Sequence, residues 1–92
     1  MFSVSKENKT FEEKIEALGI ERLDCIEGQV VAHTKAGSLI EFGEGENRIT
    51  GFSYHYLPLK TQALVTIRKI IPETQRVILL LDSVIQQGWE VA

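Results

Sequence analysis

The residues best suited to recognising another molecule fall in one run, Phe52-Ser53-Tyr54-His55-Tyr56. Flat aromatic rings stack on unpaired nucleobases, and each stacked base is worth roughly 1–3 kcal/mol. In an extended chain Phe52, Tyr54 and Tyr56 share one face, with Ser53 and His55 on the other. Two readings fit this pattern. In one, Tyr54 with His55 or Tyr56 makes a stacking platform; in the other, Phe52 fills a core and the tyrosines pack at its rim. Cations that could meet phosphates lie at Lys60, Arg68, Lys69 and Arg76, and His33-Thr34-Lys35 offers a polar turn with one more. Lys35, Tyr54, His55, Arg68 and Arg76 are therefore the candidate nucleic-acid-binding residues.

Other chemistries have less to stand on. Glu41, Glu44 and Glu46 are paired acids of the kind glycosidic hydrolysis uses, but they sit in or beside a glycine-rich loop where solvation is the simpler account. His33 and His55 have no third ligand at a telling spacing, so no metal is expected. Cys25 is the only cysteine, which excludes an internal disulfide and a cysteine metal cluster; its expected role is a small buried hydrophobe. With no phosphate-binding glycine loop and no nucleophile–base–orienter set, the chain reads as non-catalytic and free of cofactors.

The elements that must position these residues follow from pattern. The chain has 92 residues, 43% of them hydrophobic and 25% charged, which suits one small domain with one core. Its net charge of -3 weighs against strong non-specific nucleic-acid binding without excluding a local basic patch. The longest apolar run, Val77 to Leu81, is too short to cross a bilayer, and the opening MFSVSKENKT lacks a signal-peptide core, so a soluble cytoplasmic protein is expected.

Residues 1 to 9 carry no period and read as a frayed end. Thr10 and Glu13 form a capping box, Phe11, Ile15 and Leu18 follow at helical spacing, and Gly19 supplies the stop, predicting a helix from Phe11 to Leu18. Beyond Gly19, short β-rich runs alternate with turns. The predicted strands are Ile26 to Thr34, Ser38 to Phe42, Arg48 to Tyr56, Ala63 to Ile70 and Arg76 to Leu81. The domain plan is thus a barrel over 20–82 and a tail over 83–92, for which a helical turn or a docked segment is expected. Five strands this short need closure, and a five-stranded Greek-key barrel is the economical form, with a small sandwich the alternative.

Three segments resemble the S-one domain, the RNA-binding module repeated in the large S-one protein of the bacterial small ribosomal subunit. They are EGQVVAHTKAGSLIEF, ITGFSYHYLPL and ALVTIRKIIPETQRVILLL, covering about 55 residues between Glu27 and Leu81. The resemblance implies an oligonucleotide-binding (OB) type barrel and single-stranded RNA as ligand. Tyr54 falls on the family's third-strand histidine and keeps a π-face, and Arg76 matches a basic position. Ala36 and Leu39 stand where the family has aromatic residues, Lys60 replaces a glycine, and Ile71 replaces an acidic residue.

Alternation in the last two strands places Ala63, Val65, Ile67, Val77, Leu79 and Leu81 inside and Leu64, Ile78 and Leu80 outside. Outward aliphatics need cover. The Phe11, Ile15, Leu18 stripe is the expected lid, with Ile85 and Trp89 second and a partner chain third. Two functions follow as expectations: an RNA-binding module, or a protein-interaction module that kept the barrel and lost its nucleic-acid site.

Overall fold

A computed structural model describes residues 10–88; the readings made for residues 1–9 and for Trp89 lie outside them. The order is α1 (Phe11–Leu18), β1 (Cys25–His33), β2 (Ser38–Phe42), β3 (Ile49–Ser53), β4 (Gln62–Ile71) and β5 (Arg76–Gln86), with single 3-10 turns at Gly45–Asn47 and Pro72–Thr74. The strands close into a barrel in the order β1-β2-β3-β5-β4, the order of an OB-type fold. Every pairing is antiparallel except that of β3 with β5, where Phe52 lies opposite Ile78 and Ser53 opposite Leu79. β1 serves both neighbours. Its first half, Cys25 to Gln29, pairs with β4, and its second half, from Gln29 onward, pairs with β2.

The interior is filled by the residues that alternation selects, except that Leu81 is only half-buried against it. Ala63, Val65 and Ile67 of β4 and Val77 and Leu79 of β5 are buried with Val30, Ile40, Phe42 and Ile49. Gly51 has no side chain because Leu79 uses the space: a Cβ there would lie 2.7 Å from Leu79 Cδ1.

α1 forms as its signals require. Glu13 N donates to Thr10 Oγ1 (3.1 Å), Thr10 N donates to Glu13 Oε1 (2.9 Å), and Gly19 ends the helix at φ 65°. Its place differs from the expectation. Phe11, Ile15 and Leu18 pack against the core at one end of the barrel rather than over Leu64, Ile78 and Leu80. Phe11 neighbours Ile49, and Leu18 reaches Gly43. The linker decides this. Leu23 N donates to the Ile67 carbonyl (2.6 Å) and Ile67 N donates to the Asp24 carbonyl (2.8 Å), which ties the helix to the end where β4 finishes.

Three further expectations are corrected. β3 stops at Ser53, not Tyr56, because its partner β2 begins at Ser38, directly opposite Ser53, and no ladder exists beyond. β5 runs on to Gln86, paired along β4 back to Gln62, so 83–86 is strand rather than a helical turn, and the tail docks as its alternative had it, with Gly88 N donating to Thr61 Oγ1 (3.0 Å). Cys25 is exposed: it lies one residue out of phase with the inward Gly28 and Val30.

Candidate nucleic-acid interface

The pairing registers align five outward side chains across five strands. Ala32 lies opposite Leu39, Leu39 opposite Phe52, Phe52 opposite Ile78, and Ile78 opposite Lys69. Phe52 therefore points outward, contrary to its reading as a barrel filler; on β3 the inward positions are Ile49, Gly51 and Ser53. The result is an apolar ledge of Leu39, Phe52 and Ile78, ending in a cation.

Tyr54 extends this ledge. Its ring meets Phe52 edge-on, with centroids 4.8 Å apart and planes at 86°, a favoured aromatic geometry. Tyr54 is 67% exposed, so one face remains open to a ligand. Together with Leu39, Phe52, Ile78, Arg76, Thr34 and Ala36 it lines a depression of about 480 Å³. Of the sequence-chosen residues, the structure thus brings Tyr54 and Arg76 to one hollow. Lys35 is exposed in the β1–β2 turn, between two residues of its rim.

Arg68 and His55 take other places. Arg68 and Lys69 share a bulge in β4, where Ile67 opposes Leu79 and Lys69 opposes Ile78. Both side chains are exposed, and Arg22 Nε donates to the Arg68 carbonyl at 3.2 Å. Lys69 is the cation aligned with the ledge; the bulge that puts it there is invisible to simple alternation. His55 contributes through its backbone. Its N–H donates to Ser53 Oγ (3.2 Å), and its carbonyl accepts from Ser38 Oγ (2.8 Å).

Those bonds belong to a strap holding the β3–β4 connector. Ser38 Oγ also accepts from Leu57 N (2.9 Å), and His33 Nε2 bonds the Leu57 carbonyl (2.6 Å). Ser38 and Ser53 are fully buried. The β1–β2 turn closes on this strap: Thr34 Oγ1 accepts from the N–H groups of Ala36 and Gly37 (3.1 Å each). A Cβ on Gly37 would fall onto the Ser53 carbonyl oxygen, so the turn and the end of β3 touch backbone to backbone. His33 is thus a half-buried strut, stacked under Tyr56 with centroids 4.6 Å apart and planes at 20°.

Charge is segregated. No Asp or Glu occurs between Gly28 and Ile40 or between Ile49 and Pro72, the stretches that supply most of the ledge, the turn and the connector. Glu41, the acid on the outer face of β2, pairs with Arg48 at 3.8 Å. The exposed Cys25 thiol donates to Asp82 Oδ2 (3.4 Å), which also accepts from Thr66 Oγ1 (2.6 Å). Desolvation first, then this carboxylate, holds the thiol above its ordinary pKa, the reverse of an activated nucleophile. Among the described residues no cluster of three or more metal-ligating side chains occurs, and no helix is long and apolar enough to cross a membrane.

No family model matches the chain, and no curated protein matches it. Among solved structures it is similar to the uncharacterised protein MJ1198 from Methanocaldococcus jannaschii, with 17% identity and a TM-score of 0.55 over 65% of this chain and 89% of the other. That likeness speaks for the barrel fold.

Proposed function

We propose that the chain is a small non-catalytic module that binds single-stranded nucleic acid on the outer face of β2, β3 and β5, with RNA preferred on the strength of the S-one resemblance. The observation that carries the reading is the aligned row Leu39–Phe52–Ile78–Lys69 with Tyr54 set edge-on beside it. A base would lie on the Phe52–Tyr54 corner while Lys35, Lys69 and Arg76 meet phosphates. Base stacking is tolerant of sequence, so little preference among bases is expected.

The test is a titration of a labelled single-stranded RNA octamer at 50 and 200 mM salt. Three phosphate contacts on a single strand give a slope of about -2 in log affinity against log salt, a loss of roughly twenty-fold over this range. Absence of binding at 50 mM would overturn the reading. A second reading, protein interaction, is favoured by one feature: Leu80, Val84 and Ile85 on β5 are 45%, 44% and 47% exposed, and α1 does not cover them. It predicts self-association in light scattering, or capture of a protein partner, with no response to RNA.

A further inference from the structure

We infer that Tyr56, stacked on His33, is a second base-stacking station, so that a bound strand straddles the β1–β2 turn and is gripped on both sides of it. This rests on the nucleic-acid reading and adds to it a site that neither the ledge nor the S-one resemblance supplies.

Period-two alternation would put Tyr54 and Tyr56 in one platform. The end of β3 at Ser53 separates them. Tyr54 turns to Phe52 on the β2–β3–β5 face, and Tyr56 turns to His33, the last residue of β1. The turn Thr34-Lys35-Ala36 follows His33 directly, and Thr34 and Ala36 line the ledge hollow, so the turn that bears Lys35 stands between the two aromatic pairs. Two residues of chain span at most about 7 Å, so the two tyrosines lie within reach of one short oligonucleotide.

The second station has the properties of a ligand surface rather than of packing. Tyr56 is 63% exposed, although its ring already has a stacked partner beneath it. The ring beneath is fixed, since His33 Nε2 bonds the Leu57 carbonyl at 2.6 Å. The backbone on either side of Tyr56 is fixed as well: the His55 carbonyl and the Leu57 N–H both bond Ser38 Oγ. A preorganised ring loses little freedom on binding, which is where such a surface gains affinity. The chain around it, from Ile49 to Pro72, carries no Asp or Glu, and Lys60 lies further along the same connector.

The experiment measures the affinity of a labelled octauridylate for the full chain and for Tyr54→Ala, Tyr56→Ala and Tyr56→Phe. Tyr56→Ala is expected to lose about five-fold or more in affinity, as removal of a stacking ring does, and Tyr56→Phe to restore it. The salt slope of Tyr56→Ala stays that of the parent, because the ring carries no charge. Its melting temperature shifts by no more than about 4 °C, as for an exposed substitution, so loss of fold does not mimic the result. If Tyr54→Ala weakens binding while Tyr56→Ala stays within about two-fold of the parent, below the effect of a stacked base, the second station is refuted and the ledge stands. Failure of Tyr56→Phe to restore affinity refutes stacking at this position. If the parent chain binds no octauridylate at 50 mM salt, both readings fall.

Discussion

Replacing Ser38 by Ala tests whether the strap holds the tyrosines in place. Ser38 Oγ donates to the His55 carbonyl at 2.8 Å and accepts from Leu57 N at 2.9 Å, and Ser38 itself is fully buried. The substitution leaves two backbone groups without their partner. An orphaned buried polar group costs about 1–3 kcal/mol, and the connector is open enough for water to recover part of that, so the total is about 2–3 kcal/mol. A domain of this length has roughly 5–14 kcal/mol of stability in all, and the melting temperature should fall by about 10–20 °C. Ser53→Ala is the internal control. It removes one accepting bond, from His55 N at 3.2 Å, and should cost about 1 kcal/mol. Urea titrations give both values, with the midpoint moving and the slope constant. A cost for Ser38→Ala below about 0.5 kcal/mol, the level of an ordinary surface change, would refute the strap, as would equal costs for the two serines.

Other outcomes follow from the same geometry. Gly51→Val should cost about 1–3 kcal/mol by overpacking, read as a lower urea midpoint, because the nearest atoms belong to buried Leu79 and have nowhere to move. Replacing Phe11 and Leu18 by Ser should lower the melting temperature by several degrees, since each then leaves the barrel end without part of its apolar cover; an unchanged value would mean α1 does not seal that end. The Cys25 thiol should alkylate slowly at pH 8, with a rate midpoint above that of a free cysteine. The sign follows from the raised pKa: the folded chain holds the proton more tightly than the unfolded one, so whatever stability this adds is fully present below the unfolded value and is lost as pH rises through the higher, folded one. Asp82→Asn removes the neighbouring negative charge and should move the alkylation midpoint down; no movement would exclude Asp82 as a cause.

How much of this is legible in the residues depends on whether one signal or several converge. α1 is legible to the residue because a capping box, an apolar stripe and a glycine stop agree. β2 is legible because glycines bracket it, at Gly37 and Gly43, and the inward set of β4 follows from plain alternation. The end of β3 is not legible. Tyr54, His55 and Tyr56 have the composition of a strand, and the ladder ends where β2 has no residue opposite them and the pairing with β5 also stops, at Ser53. The orientation of Phe52 fails for a related reason: a large ring beside a glycine reads as core, whereas Leu79 from a distant strand already fills the space beneath Gly51. Lys69 joins the ledge through a bulge that no local pattern announces. The position of the helix depends on its linker's bonds to Ile67, a residue more than forty positions away.

The same distant pairings bear on the two strongest objections to nucleic-acid binding. The first is the loss of aromatic residues at Ala36 and Leu39. Leu39 lies directly opposite Phe52, so a ring stands across the ladder from the missing one, and Tyr54 closes the corner. The proposed stacking surface has moved by one strand, about 4.8 Å, and keeps an apolar neighbour on each side in Leu39 and Ile78. The second objection is the net charge of -3. A phosphate responds to charges within about a Debye length, ~8–10 Å at ordinary salt, rather than to the total. Glu27, Glu41 and Asp82 lie on strands and Glu73 in the β4–β5 turn, while seven of the acids lie in α1 and its linker (Glu12, Glu13, Glu16, Glu21 and Asp24) and in the β2–β3 loop (Glu44 and Glu46). α1 and that loop share the end of the barrel opposite to the β1–β2 turn and the connector. An acidic total therefore sets a weak long-range repulsion that salt screens, while the cations nearest the ledge are Lys35 in the β1–β2 turn and Lys69 and Arg76 beside the β4–β5 turn, which also carries Glu73. Raising salt from very low values should first relieve the repulsion and only then weaken the contacts, so the affinity of the proposed site is expected to pass through a maximum rather than fall from the start.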